Sequence, residues 1–342
     1  MTRRLFLRVV AAALAGATVG PPASARGSAS SRRKAMTVSG ERPAESLGLV
    51  LPHEHVMVDF VGADKVARDR YDADEVFEAV LPHLLRVRRL GCRTLVECTP
   101  AYLGRDPLLL KRLSKASGLL ILTNTGFYGA AGDKFLPRFV LDETAEKLAD
   151  RWAAEWKSGI EGTGVRPGFI KIGVDPELSD VDRKLVKAAG LAHLRTGLTI
   201  ASHTGPGRAA EAQIKVLGEL GVQPSAFVWV HAQSEADTDL QTRLAKLGAW
   251  VEFDGLSPNS VDQHVRLVQG MQKAGCLDQT LVSHDAGWYN VGEKGGGKFR
   301  PFDVLFAEFL PALRKLGLDD KAIRQITETN PQRAFARSVR AI

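Results

Sequence analysis

Cysteine is scarce. The 342 residues hold three, Cys92, Cys98 and Cys276, too few for a disulfide framework, and no CxxC occurs. No GxGxxG or GxxxxGK[ST] follows an apolar run, so neither a dinucleotide site nor a P-loop is indicated. Charge of one sign is not in large surplus either. The net charge is +7, from 46 basic and 39 acidic residues, and Arg3, Arg4 and Arg8 lie in the first eight positions. That excess is partly a tail effect and gives no reason to expect a nucleic-acid partner. What is present is 44% apolar and 25% charged residues, an ordinary globular composition. The length fits two average domains or one α/β barrel of about 250 residues.

The N-terminus reads as an address. Thr2-Arg3-Arg4-Leu5-Phe6-Leu7-Arg8 precedes an apolar, Ala-rich stretch over 9–19, then Pro21, Pro22 and the small-x-small pattern Ala23-Ser24-Ala25. A positive segment, a short apolar core and an A-x-A site describe a secretory signal. The Arg pair resembles a twin-arginine export signal. The apolar stretch is shorter than the roughly 20 residues a membrane-spanning helix needs, so no stable span is expected after cleavage. The expected organisation is a signal peptide over 1–25, a flexible Gly/Ser-rich lead-in over 26–45 and one domain over 46–342. The expected location is periplasmic or secreted, with the twin-arginine machinery as export partner.

From residue 47 onward, apolar β-branched runs alternate with amphipathic helical patterns. Strands are expected at 48–53, 94–99, 119–125, 168–174, 198–203, 226–231, 249–254 and 279–284. Helices are expected at 74–90, 141–158, 179–195 and 303–316. Runs such as Leu119-Leu120-Ile121-Leu122 and Phe227-Val228-Trp229-Val230 are apolar on both faces, which suits buried parallel strands. Eight strands alternating with helices predict an α/β fold, a (β/α)8 TIM barrel, with a doubly wound open sheet as the alternative. Gly295-Gly296-Gly297 reads as a surface loop, or alternatively as a substrate lid.

The histidines carry the functional signal. His53 and His55 end the first strand two residues apart, so both rings face one side. His203 ends the fifth strand, His231 the sixth, and Asp285 the eighth. In a parallel barrel all strand C-termini open on one face, where active sites sit. Lys171 stands in the middle of the apolar fourth strand, in Gly168-Phe169-Ile170-Lys171-Ile172-Gly173. A lysine is almost never buried without a partner. Burial favours the neutral amine, which can take up carbon dioxide as an anionic carbamate and so bridge two cations. Taken singly, each residue has a plainer role. A strand-end His is ordinarily hydrogen-bonded structure, a strand Lys snorkels and an Asp after a strand caps a turn. It is their joint placement at one barrel end that points to metal.

That pattern resembles the phosphotriesterase family of the amidohydrolase superfamily. The resemblance runs from about Leu47 to Ala336. It includes Leu51-Pro52-His53-Glu54-His55, Gly104-Arg105-Asp106, Gly159-Ile160 with Gly164, Gly168-Phe169-Ile170-Lys171, Ser283-His284-Asp285 and Thr329-Asn330-Pro331. It implies a (β/α)8 barrel with two divalent metal ions, usually zinc, with Co²⁺ or Mn²⁺ also suiting the ligands. His53, His55 and Asp285 would hold the more buried ion, His203 and His231 the more exposed one, and a carbamate on Lys171 would bridge both. Asp285 would also accept the proton of the attacking, metal-bridging hydroxide. Asp285 and Lys171 are therefore the expected catalytic residues. Barrels of this family often dimerise, so a homodimer is implied, although no self-complementary patch stands out.

The reaction implied is hydrolysis of a small lactone or carboxylic ester, with promiscuous phosphotriesterase activity. Ser-His-Asp at strand eight and Tyr128 after strand three resemble the lactonase-like members, and Tyr128 and Trp288 are the expected substrate contacts. Tyr289 is a further candidate for an apolar pocket. One departure stands out: the strand-seven Asp254 is followed by Gly255 and Leu256, where the family places a basic or relay residue. The stretch after His231 is also altered. Cys98, at the end of strand two, reads as a buried structural thiol. The alternatives are an amide or phosphodiester hydrolase using the same centre, and a non-catalytic barrel that binds a small ligand. Adhesion through the basic tail is a third.

Overall fold

A computed structural model describes residues 33–342. The expected signal segment and residues 26–32 of the lead-in lie outside the described residues. Strands β1 (Lys34–Thr37) and β2 (Gly40–Pro43) form an antiparallel hairpin. They are followed by β3 (Val50–Val58), β4 (Thr94–Glu97), β5 (Leu120–Leu122), β6 (Asn124–Thr125), β7 (Phe169–Gly173) and β8 (Ile200–His203). Last come β9 (Phe227–Val230), β10 (Trp250–Phe253), β11 (Thr280–Val282) and β12 (Gly287–Asn290).

Strands β3 to β5 pair in parallel in chain order, and so do β6 to β11. β5 and β6 are one run interrupted at Thr123, so pairing passes through it from one ladder to the next. At the other end, Asp285 N–H donates to the His53 carbonyl at 3.1 Å and His55 N–H to the Ala286 carbonyl at 2.9 Å. β12 continues that contact, parallel to β3. Eight strand positions therefore return to their start, as the (β/α)8 reading requires and an open sheet does not.

Helices α1 (Ala73–Arg89), α2 (Pro107–Ser117), α3 (Arg138–Asp142), α4 (Ala145–Ser158), α5 (Asp180–Thr196), α6 (Gly207–Glu219), α7 (Thr238–Lys246) and α8 (Val261–Lys273) connect the strands. α1 shows why. Asp72 caps its first turn by accepting from Asp74 N–H at 2.7 Å, and Val76, Val80, Leu84 and Val87 recur on one face and are buried. Burial of each such side chain contributes about 1.5–3 kcal/mol. Along β7 the faces separate. Ile170 and Ile172 join the core between strands and helices, whereas Phe169 joins the barrel interior with Val50, Val228, Val230 and Leu281.

Three expectations need correction. The lead-in belongs to the fold from Lys34 onward: Ala35, Met36 and Val38 are buried, and Val38 N–H donates to the Ile121 carbonyl at 2.8 Å. Ala35 and Leu47 pack with Phe335 inside the barrel, so this hairpin closes the end opposite the histidines. The expected helix 141–158 is two helices, because Thr144 caps α4 and breaks the run. The expected helix 303–316 opens as a π-turn, Leu305–Phe309, before α9 (Leu310–Lys315). Pro311 has no N–H to continue a regular α-ladder there. Among the described residues, no helix is long and apolar enough to cross a membrane.

Candidate metal centre

His53, His55, Lys171, His203, His231 and Asp285 all line one cavity of about 430 Å³. β3 carries the first two, β7 carries Lys171 and β8 carries His203. His231 directly follows β9 and Asp285 lies just past β11, both with left-handed backbone at φ 64° and 51°. For non-glycine residues that conformation stores of order 1–3 kcal/mol, and it is held only where neighbours enforce it. The His231 backbone N–H donates to Asp254 at 3.0 Å and the Asp285 N–H to the His53 carbonyl.

The ring nitrogens are sorted by their partners. Nδ1 of His55 lies 2.8 Å from Thr99 Oγ1, whose own proton goes to the Met57 carbonyl at 3.0 Å. Nδ1 of His231 donates to Asp254 Oδ1 at 2.6 Å. Nδ1 of His53 faces Asp254 Oδ2 at 3.1 Å and Glu252 Oε2 at 3.2 Å. In each case Nε2 is left for the cavity. Nε2 of His55 lies 3.0 Å from Asp285 Oδ1, and Nε2 of His53 lies 3.8 Å from the same oxygen. Nε2 of His231 is 2.7 Å from Nδ1 of His203. Lys171, 2% exposed, brings Nζ to 3.4 Å from Nε2 of His53.

This donor set fits a pair of divalent cations. Imidazole nitrogens and a carboxylate converge, and each ring that turns Nε2 inward is oriented from behind, as metal-ligating histidines are. His53, His55 and Asp285 place one donor atom each close enough to share an ion. His53, Glu252 and Asp254 also cluster, but through Nδ1, behind the ring and away from the cavity. Burial pushes the His55 imidazole down to about 4 and His203 well below its usual value, the His231 ring adding to the latter. Both are thus neutral, the form that binds metal. Burial opposes ionisation of Asp254, yet His231 and His53 hold its carboxyl well below the usual range. Burial, with the Asp254 carboxylate adding to it, pushes Glu252 up against the opposing pull of His53.

Tyr128 and Trp288, the expected substrate contacts, both line this cavity. The Tyr128 ring meets His203 edge-on at 5.0 Å and Trp288 meets His55 at 5.4 Å. The Tyr128 ring lies over Gly173, where any Cβ would come within 2.6 Å of it. Tyr289 turns away and donates its hydroxyl to Glu75 at 2.8 Å. Cys98 is buried and borders the cavity.

Sequence reasoning missed the residues behind the rings. Glu54, between the two histidines, accepts from Ser283 Oγ, His284 Nδ1 and Ala286 N–H and so ties β3 to the eighth strand. His284 is thereby structural; its Nε2 accepts from Leu305 N–H at 3.0 Å. The departure after Asp254 also has a cause. Gln233 Nε2 donates to Asp254 Oδ1 at 2.8 Å and occupies the space a side chain at 255 would need, since a Cβ there would lie 2.8 Å from it. The altered stretch after His231 and the glycine after Asp254 are one substitution in space. Arg300 donates to the Asp285 carbonyl at 2.6 Å and lies over the Trp288 ring at 4.3 Å, bracing that loop.

A sequence model of the Phosphotriesterase family matches residues 33–335. Among curated relatives, an aryldialkylphosphatase of Saccharolobus solfataricus is 26% identical over 86% of this chain and 96% of its own. The phosphotriesterase homology protein of Escherichia coli is 26% identical over 84% of this chain and 98% of its own. The human N-acetyltaurine hydrolase is 25% identical over 87% and 97%. The family is one of binuclear metal hydrolases.

Proposed function

The chain belongs to the phosphotriesterase family, and on that premise we propose that it is a two-metal hydrolase of a lactone or related carboxylic ester. The observation that carries the reading is the buried Lys171 amine facing His53 in the same cavity as His55, His203, His231 and Asp285. When bound, a pair of divalent cations, zinc by ligand type, lowers the pKa of a shared water and polarises the substrate's carbonyl oxygen. His53, His55 and Asp285 would hold one ion and His203 and His231 the other, with Lys171, as its carbamate, a further ligand of the pair. Asp285 would accept the proton released as water attacks, because its carboxylate faces the cavity beside the His55 and His53 rings. Asp254 and Thr99 keep the rings of His231 and His55 in the tautomer that presents Nε2. Tyr128 and Trp288 bound the space for the acyl portion and exclude water from it.

Two of the relatives favour neighbouring bonds. The name N-acetyltaurine hydrolase supports an amide as second reading, and aryldialkylphosphatase supports a promiscuous phosphotriesterase activity. The N-terminal Arg pair and A-x-A site support export to the periplasm or beyond through the twin-arginine machinery, and the family resemblance supports a homodimer. Purified protein loaded with Zn²⁺, Co²⁺ or Mn²⁺ and offered lactones, aryl esters, amides and phosphotriesters decides between the bonds. The ester reading expects the highest kcat/KM among the lactones and esters. An amide preference of tenfold or more overturns it.

A further inference from the structure

Beyond the metal ligands and Tyr128, the cavity wall is apolar on all sides but one. Val58, Phe60, Leu103, Phe135 and Trp288 line it, and the Phe60 ring meets Phe135 at 6.1 Å and Trp288 at 5.3 Å. The exception is Lys134. Its ammonium lies over the Phe135 ring at 5.3 Å, and among the described residues no carboxylate pairs with it. Several cations elsewhere do pair with carboxylates, among them Arg68 with Asp106, Arg70 with Asp59 and Arg151 with Glu143.

The segment that presents Lys134 is fixed in place. Ala131, Gly132 and Asp133 are all left-handed, at φ 65°, 65° and 62°. The Asp175 carboxylate takes the N–H groups of Ala131 and Gly132 at 2.8 and 3.1 Å. The Lys134 carbonyl accepts from Ala63 N–H at 3.1 Å. Asp175 thus fixes the loop backbone and makes no ion pair with Lys134 among the described residues. Two ring contacts, His203 to Tyr128 and Tyr128 to Phe135, separate the metal ligands from the ammonium.

We propose that the substrate carries an anionic group, a carboxylate, sulfonate or phosphate, at the end away from the bond that is cleaved, and that Lys134 receives it. An apolar spacer would lie along the Phe60, Phe135 and Trp288 rings, between the polarised carbonyl and the charge. Lys134 is exposed at the cavity rim, so its attraction for an anion acts at close range and is screened by salt. Lys134 would thus be a specificity residue, acting on binding and not on the chemical step. The inference rests on the hydrolytic reading of the same cavity.

The test uses the metal-loaded full chain and methyl esters and amides of ω-sulfoalkanoic acids with two to six methylenes, each beside its neutral dimethylsulfonamide. Wild type is expected to favour the sulfonate in kcat/KM by at least tenfold at low salt, chiefly through KM, and the advantage falls as salt rises. Lys134→Met reduces the ratio at least tenfold, Lys134→Glu inverts it and Lys134→Arg restores it. Lys157→Met, far from the cavity, keeps the wild-type ratio. Calorimetric binding of the same pairs reads the preference even where no bond is cleaved, so failure of the hydrolytic reading and failure of this one remain distinct. Equal affinity for sulfonate and sulfonamide in wild type, or an unchanged ratio in Lys134→Met, overturns the proposal.

Discussion

The Asp254 carboxylate bonds His231 and His53 at once, reaching Nδ1 of the first at 2.6 Å through one oxygen and Nδ1 of the second at 3.1 Å through the other. One buried group therefore sets the orientation of two rings assigned to different metal ions. It couples the two halves of the centre from behind.

Asp254→Asn keeps the shape and removes the charge. An amide can turn its oxygen toward only one of the two rings. Metal affinity is expected to fall 10–100-fold, with circular dichroism unchanged. Competition with a chelating dye measures it. Wild-type affinity in the variant would reduce Asp254 to a packing role.

Lys171→Ala tests the bridge. The variant should load markedly less metal and lose hydrolysis, and added short carboxylates should recover part of both by standing where the carbamate would be. Metal content and turnover with and without propionate are the readouts. Full activity in the untreated variant would contradict the bridging role.

Glu97 gives a pH dependence that does not involve the metal ligands. Burial pushes its carboxyl up from 4.5 to about 7, against smaller opposing contacts from Thr99 and Val56. One of its oxygens has no hydrogen-bond partner. The folded state holds this proton more tightly than the unfolded chain. Its contribution is therefore full below pH 4.5, falls as pH rises towards 7 and stays lost above. Glu97→Gln should raise stability relative to wild type by about 1–3 kcal/mol at pH 8 and by much less at pH 5. Melting temperatures at the two pH values check this, and a difference independent of pH would refute it.

Trp288→Ala removes a ring that touches both His55 and Phe60. KM for esters with long apolar acyl groups should rise roughly tenfold, equivalent to about 1.4 kcal/mol of lost contact, with kcat changed far less. A collapse of kcat at constant KM would mean that the ring positions His55 instead of the substrate.

The legible parts of this molecule were those that follow from periodicity and position. Alternation of apolar runs with helical stripes gave the barrel, because buried parallel strands and amphipathic helices have different sequence periods. His53 and His55 at a spacing of two, and Lys171 in an apolar strand, were visible because each breaks a local rule. Glu54 and Glu252 also interrupt apolar strands, but a lone carboxylate there names no partner, and Asp254 at a strand end reads equally as a turn or cap. Their role arises from partners some 20 to 230 positions away, such as His231 for Asp254 and His284 for Glu54. The pairing of Gln233 with Gly255 was hidden for the same reason. The hairpin over 34–43 was obscured by its polar, Gly-containing composition; Ala35 and Met36 gain their burial only from the barrel end they cover.

The central claim is that six side chains of one cavity hold a pair of cations that hydrolysis requires. Metal content by plasma mass spectrometry, followed with activity during chelation and stepwise zinc addition, tests it most directly. The account predicts two ions per chain at full activity, activity lost on chelation and restored with the metals. One ion or none at full activity, or hydrolysis that survives their removal, would contradict it.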